Sequence, residues 1–133
     1  MSDKTYQIHV FGKPGCAKCH TLQGRLDDLL SEPEWSDFEK IYHDLETEDG
    51  LVAFCDAECL NPQRVPGFYV SKLDPSTGEQ RPLVNPTPDT PDPATGNSAL
   101  YTWVGLQTDY SPSGRGVLTP RMIESTLAKA KAL

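Results

Sequence analysis

An α/β fold with a mixed sheet is what this sequence predicts, on three observations. Short β-branched and aromatic runs alternate with helical periodicities, and proline or glycine punctuates the junctions. The resulting order is strand, helix, strand, helix, strand, strand, helix, which requires crossover connections and helices covering the sheet. The expected architecture is therefore a four-stranded mixed sheet, β-α-β-α-β-β-α, with a Pro-rich insertion between the third and fourth strands.

Tyr6-Gln7-Ile8-His9-Val10-Phe11 alternates as a strand, and Gly12-Lys13-Pro14-Gly15 ends it as a turn. Leu22, Leu26, Leu29 and Leu30 recur at three- and four-residue steps, so a helix starts near Cys16 and finishes before Pro33. Ser31 to Glu34 is a turn. Phe38 to Leu45 reads as the second strand, with Ile41, His43 and Leu45 on one face. The acids from Asp44 to Asp49 suit a helix start, and a short helix follows to about Cys59, where Asn61-Pro62-Gln63-Arg64 breaks it. Val65-Pro66 leads into a third strand, Gly67 to Leu73. The turn Asp74 to Glu79 allows Gln80 to Val84 to return as an antiparallel arm. Pro86, Pro88, Pro91 and Pro93 preclude regular structure and predict a stiff surface excursion, the insertion spanning about residues 74–98. Leu100 to Val104 reads as the last strand, ending at Gly105, and Gln107 to Gly116 as a loop. Thr119-Pro120 caps a final helix whose apolar face is Met122, Ile123, Leu127 and Ala130.

With 133 residues the chain is expected to form one domain, 1–133, large enough for an ordinary core without disulfide staples. No export signal or apolar span of membrane length is visible, which predicts a cytoplasmic protein in a reducing compartment. Its four cysteines then read as redox or metal groups rather than a structural framework. The net charge of −7 disfavours nucleic acid, and the acids between Asp27 and Glu58, with Lys40 the sole basic Lys or Arg among them, read as a solvated face.

Cys16-Ala17-Lys18-Cys19 carries the chemistry. The thiolate is the reactive species in thiol exchange, and unpaired N–H groups at a helix start stabilise negative charge. Cys16 sits at that start, and Lys13 and Lys18 add positive charge in the same direction. Cys19, one turn further in, is expected to be shielded. Cys16 is therefore the candidate attacking thiolate and Cys19 the thiol that resolves the mixed disulfide. His9 and His43 lie on strands and read as packed, hydrogen-bonded groups rather than catalysts.

The strand-helix order, the C-x-x-C at the first strand–helix junction and the Val-Pro before the third strand together resemble the thioredoxin and glutaredoxin superfamily over nearly the whole chain. The resemblance implies a cis peptide between Val65 and Pro66, which only proline makes inexpensive, and a Val65 backbone that pairs with an extended substrate. Lys13-Pro14-Gly15-Cys16 looks like the glutaredoxin approach to the active site, in which the lysine helps hold a glutathione carboxylate. Trp103-Val104-Gly105 looks like the end of the family's fourth strand. Arg64, two residues before Pro66, is a further candidate for substrate binding. What the resemblance implies is a thiol–disulfide oxidoreductase that reduces protein disulfides, takes electrons from a thioredoxin reductase or glutathione, and needs no cofactor beyond the Cys16–Cys19 disulfide.

Rival readings use the same residues. Cys16-Ala17-Lys18-Cys19-His20 also satisfies the C-x-x-C-H pattern of covalent haem attachment. Cys55 and Cys59 form a second pair, which with Leu51 makes an i, i+4, i+8 stripe expected to face the sheet. The pair is open to two other roles: a second redox couple, or, with Cys16 and Cys19, a four-thiolate zinc or iron–sulfur site in a non-catalytic protein. The Pro-rich insert offers a third function, a partner-binding module.

Overall fold

The structure is a computed structural model that describes residues 5–57, 65–86, 95, 98–100, 102–110, 112 and 118–133. Strand β1 (Tyr6–Gly12) leads into helix α1 (Ala17–Leu30), a 3-10 turn at Pro33–Trp35, strand β2 (Phe38–Asp44) and helix α2 (Glu48–Ala57). Strands β3 (Gly67–Asp74), β4 (Glu79–Pro82) and β5 (Gly105–Gln107) follow, and helix α3 (Pro120–Lys131) ends the chain. β1 pairs with β2 in parallel and with β3 antiparallel, and both β4 and β5 pair antiparallel with β3.

Alternation along β1 sorts the molecule into two layers. Tyr6, Ile8 and Val10 point to one face, where they meet Phe68 and Val70 of β3, Leu22 and Leu26 of α1, and Ile123, Leu127 and Ala130 of α3. Each large side chain sealed there is worth about 1.5–3 kcal/mol relative to exposure. Phe11 points to the other face, packed with Leu100 and flanked by Leu45, Ala53, Phe54 and Tyr69. Thus α1 and α3 cover one side of the sheet and α2 the other. Among the described residues no helix is long and apolar enough to cross a membrane.

The helix starts match their sequence signals. Thr119 accepts from the Met122 N–H at 3.2 Å, with Pro120 in the first turn. The Thr47 hydroxyl likewise accepts from the Gly50 N–H at 3.0 Å, and Glu48 and Asp49 occupy the first turn of α2, where the helix dipole favours them.

The fourth lane of the sheet differs from expectation. Five strands fill four lanes, because β4 pairs with Leu73 and its neighbours while β5 pairs with Gly67 to Tyr69 on the same edge of β3. The hand-over is at Val70, whose N–H donates to the Val104 carbonyl at 2.8 Å and whose carbonyl accepts from Leu83 N–H at 2.9 Å. β4 lies inside the span assigned to the insert, so that span begins by extending the sheet. Most of the Pro-rich stretch falls outside the described residues, but Thr95 and Ser98 are buried, so the excursion is not wholly at the surface. Buried Asn85 ties its base down, donating to the Leu100 carbonyl and accepting from Lys129 Nζ, both at 2.9 Å.

Leu100 to Val104 is not the strand itself: Trp103 makes an isolated bridge to Val84, Val104 bonds Leu83 and Val70, and the strand proper begins at Gly105. Ala99 bridges to Leu106, and the chain reverses between them before Gly105 opens β5. Leu100 and Val104 are nonetheless buried, which is why their apolar pattern resembles a strand. Gly105 permits a close approach rather than ending a strand. A Cβ there would collide with the Phe68 carbonyl oxygen and stand 2.7 Å from Tyr69 Cα and 2.8 Å from Leu100 Cδ1. Gly105→Ala is expected to destabilise the fold by about 1–3 kcal/mol through overpacking against backbone, read as a lowered urea midpoint. An unchanged midpoint would contradict this packing.

Candidate active site

The site is built where β1 gives way to α1. Gly15 adopts φ +75°, a conformation open to glycine, and turns the chain so that Cys16 becomes the N-cap of α1. The Cys16 Sγ accepts from the Cys19 N–H at 3.2 Å, so the sulfur takes the capping place usually filled by a hydroxyl or carboxylate. No acidic residue lies in the first turn to oppose negative charge on that sulfur. Cys16 is half-buried and reachable, whereas Cys19 is 1% exposed. The two are joined in a disulfide, with Cα atoms 5.2 Å apart.

Gly12 explains the burial of Cys19. A methyl group at Gly12 would stand 3.1 Å from both Cβ and Sγ of Cys19 and 3.3 Å from Tyr42 Cε1, so the strand end packs directly under the second sulfur. Lys13 and Lys18 are both exposed near the helix start. A sealed Cys19 does not fit a thioether to haem, and His20 is exposed on α1.

The Val65-Pro66 peptide is cis, as the resemblance implies. Pro66 is buried, and its carbonyl accepts from both the N–H and the hydroxyl of Thr108, at 3.1 and 2.6 Å. The Val65 carbonyl accepts from the Tyr110 hydroxyl at 2.6 Å, and Lys18 Nζ lies 4.6 Å from the centroid of the Tyr110 ring. Tyr110 thus links the residue before the cis-proline to Lys18, one of the two residues between the cysteines. A parallel β1-α1-β2 unit, an antiparallel β3 and this cis-proline now stand together with the disulfide at the head of α1. The fold is thioredoxin-like. Several solved structures match it: thioredoxin O2 from Arabidopsis thaliana in its oxidized state, for one, has 14% identity and a TM-score of 0.44 over 59% of this chain and 60% of its own. Oxidized mitochondrial thioredoxin 3 from Saccharomyces cerevisiae has 18% identity and a TM-score of 0.42 over 59% of this chain and 64% of its own. G4, the poxviral disulfide oxidoreductase essential for cytoplasmic disulfide bond formation, has 17% identity and a TM-score of 0.45 over 94% of this chain and 93% of its own. The chain thus spans less than two thirds of either thioredoxin. No protein-family model and no curated protein sequence matches the chain.

Within this thioredoxin-like frame the sequence candidates separate. Cys16, Cys19 and Lys13 share the β1–α1 junction, and Lys18, Tyr110, Val65 and Pro66 form a connected group beside it. Arg64 and Cys59 lie outside the described residues. The stripe of Leu51 and Cys55 is corrected: Leu51 is 52% exposed and Cys55 is exposed, while Ala53 and Phe54 turn toward Phe11. α2 carries apolar residues on more than one face, and the sheet takes the face with the aromatic ring. Among the described residues no three ligating side chains converge, and two of the four sulfurs of the proposed four-thiolate site are bonded to each other. Thr108 and Tyr110 are what sequence reasoning missed. They fall in a stretch read as loop, with no periodicity to mark them.

Proposed function

We propose that this chain is a thiol–disulfide oxidoreductase that reduces disulfides in proteins, with Cys16 attacking and Cys19 resolving. The observation that carries the reading is the contrast between the two sulfurs: Cys16 is a reachable N-cap on an acid-free helix start, and Cys19 is sealed one turn behind it. In the reducing direction, the Cys16 thiolate attacks one sulfur of the substrate disulfide and expels the other as a thiolate. Cys19, on losing its proton, then attacks the Cys16 sulfur, frees the second substrate thiol and leaves the Cys16–Cys19 disulfide. Two electrons from a thioredoxin reductase or from glutathione restore the dithiol. Lys13 and Lys18 favour the attacking thiolate, and the Val65-Pro66 edge supports the substrate chain. Arg64, two residues before Pro66, is assigned to the same substrate edge. The chemistry needs no cofactor beyond the two sulfurs, and a cytoplasmic setting supplies the reductant it requires.

Reduction of insulin disulfides tests the proposal. The wild-type chain is expected to accelerate precipitation of the insulin B chain with dithiothreitol as electron source, and Cys16→Ser to fall to the uncatalysed rate. Equal rates for the two proteins, with several reductants, would sink it.

A further inference from the structure

A cavity of about 140 Å³ opens between α1, the cis-proline Pro66, Thr108 and Leu118. Leu22, Pro66 and Leu118 supply an apolar lining, and Thr108 adds a polar edge. Lys18 and Arg25 also line it; with Leu22 they stand at i, i+4 and i+7 along α1 and so share a face. Arg25 gives one of its donors to the Leu118 carbonyl, at 2.7 Å, which leaves the rest of its five-donor fork unused among the described residues. Among the described residues Lys18 meets the Tyr110 ring face. Neither cation forms an ion pair among the described residues, although the chain carries a net charge of −7.

Two cations with no ion-pair partner among the described residues, lining an apolar cavity beside the dithiol, select for an occupant that is apolar along its stem and anionic at its tip. We propose that this cavity receives an acidic side chain, Glu or Asp, from the protein segment that carries the target disulfide. The methylene stem lies on Leu22, Pro66 and Leu118, and the carboxylate takes the guanidinium fork of Arg25, with Lys18 as a second positive charge. The cavity volume admits one such side chain. Substrate choice is then set by a charge held next to the reacting sulfur. This rests on the reading of the chain as a protein-disulfide reductase.

The test uses the full chain and a set of disulfide-linked peptides in which one Glu is moved through the positions flanking the cysteine, with Gln at the same positions as controls. At one position Glu is expected to raise kcat/KM about tenfold over Gln, equivalent to about 1.4 kcal/mol. Added salt should shrink that ratio. Arg25→Gln should bring it close to one, and Arg25→Lys should restore part of it. Because the ratio is taken within each variant, a general loss of folded protein lowers both rates and leaves it unchanged. A ratio near one at every position in the wild type, or a preference untouched by Arg25→Gln, overturns the acidic-side-chain site while leaving the reductase reading intact. Failure to reduce any peptide overturns the reductase reading, and this proposal with it.

Discussion

A Cys19→Ser variant presented with a disulfide-bonded protein is expected to stop at a mixed disulfide through Cys16, with turnover reduced to the uncatalysed rate. The geometry gives the two sulfurs unequal parts. Cys16 has the position, the N–H donor at 3.2 Å and the access to attack. Cys19 has neither access nor room: it is 1% exposed and lies against Gly12. Its one reachable electrophile is the sulfur that caps its own helix turn. Once a substrate is bonded to Cys16, that sulfur becomes the electrophile, and Cys19 releases the substrate without having to meet solvent. Removing Cys19 removes the release step and leaves the first step intact. Non-denaturing trapping followed by non-reducing electrophoresis and mass spectrometry should find the adduct on Cys16. The chain has two further cysteines, so the trapping is carried out with Cys55 and Cys59 changed to serine, which leaves no thiol outside the Cys16–Cys19 pair. An adduct formed equally well by Cys16→Ser, through Cys19, would reverse the roles.

The head of α1 was legible in the sequence because three local signals agree there: an alternating run that must stop at Gly12-Lys13-Pro14-Gly15, a leucine period that must start after it, and a sulfur at the boundary. The α3 start was legible for the same reason, since Thr119 and Pro120 each suit one position only. Where a residue satisfies two readings, sequence could not decide between them. Gly105 serves equally as a breaker or as a close approach, and what settles it is the Phe68 backbone, which lies 37 residues earlier in the chain. On α2, Leu51 and Cys55 compete with Ala53 and Phe54 for the buried side, and the ring of Phe11 on β1 decides the contest. Tyr110 has no local signal at all, because its importance comes from the Val65 carbonyl it reaches across the fold.

Stability is expected to fall by on the order of 3 kcal/mol as the pH drops from about 6.5 to about 4, and a partly buried histidine pair is the cause. On the α2 side of the sheet, a directed chain of hydrogen bonds crosses four strands. The Gln80 amide donates to the Thr5 carbonyl at 3.3 Å, which turns its oxygen to the Ser71 hydroxyl at 2.8 Å. Ser71 therefore donates to Gln80 and accepts from His9 Nε2 at 3.0 Å. The His9 proton is thereby fixed on Nε2, and its bare Nδ1 accepts from His43 Nε2 at 3.0 Å. A second proton on His9 would set its Nδ1–H against the N–H of His43. Stacked on Tyr69 and hydrogen-bonded edge to edge with His43, His9 has its pKa pushed down to about 4, first by burial and then by His43, and burial also lowers that of His43. Unfolded, each histidine binds a proton near pH 6.5; folded, His9 refuses it until about 4. Between those values the unfolded chain holds more protons, so unfolding gains as pH falls, and below about 4 the loss is complete. Asp74, lowered by its hydrogen bonds to Ser76, titrates below its ordinary 3.8 and so acts at more acidic pH than this window. Urea midpoints of the oxidised protein from pH 8 to pH 4 should show the decline, and His9→Phe, though weaker at pH 8 through loss of the hydrogen bonds to Ser71 and His43, should show a shallower one. Parallel declines in the two proteins would place the acid sensitivity elsewhere in the chain.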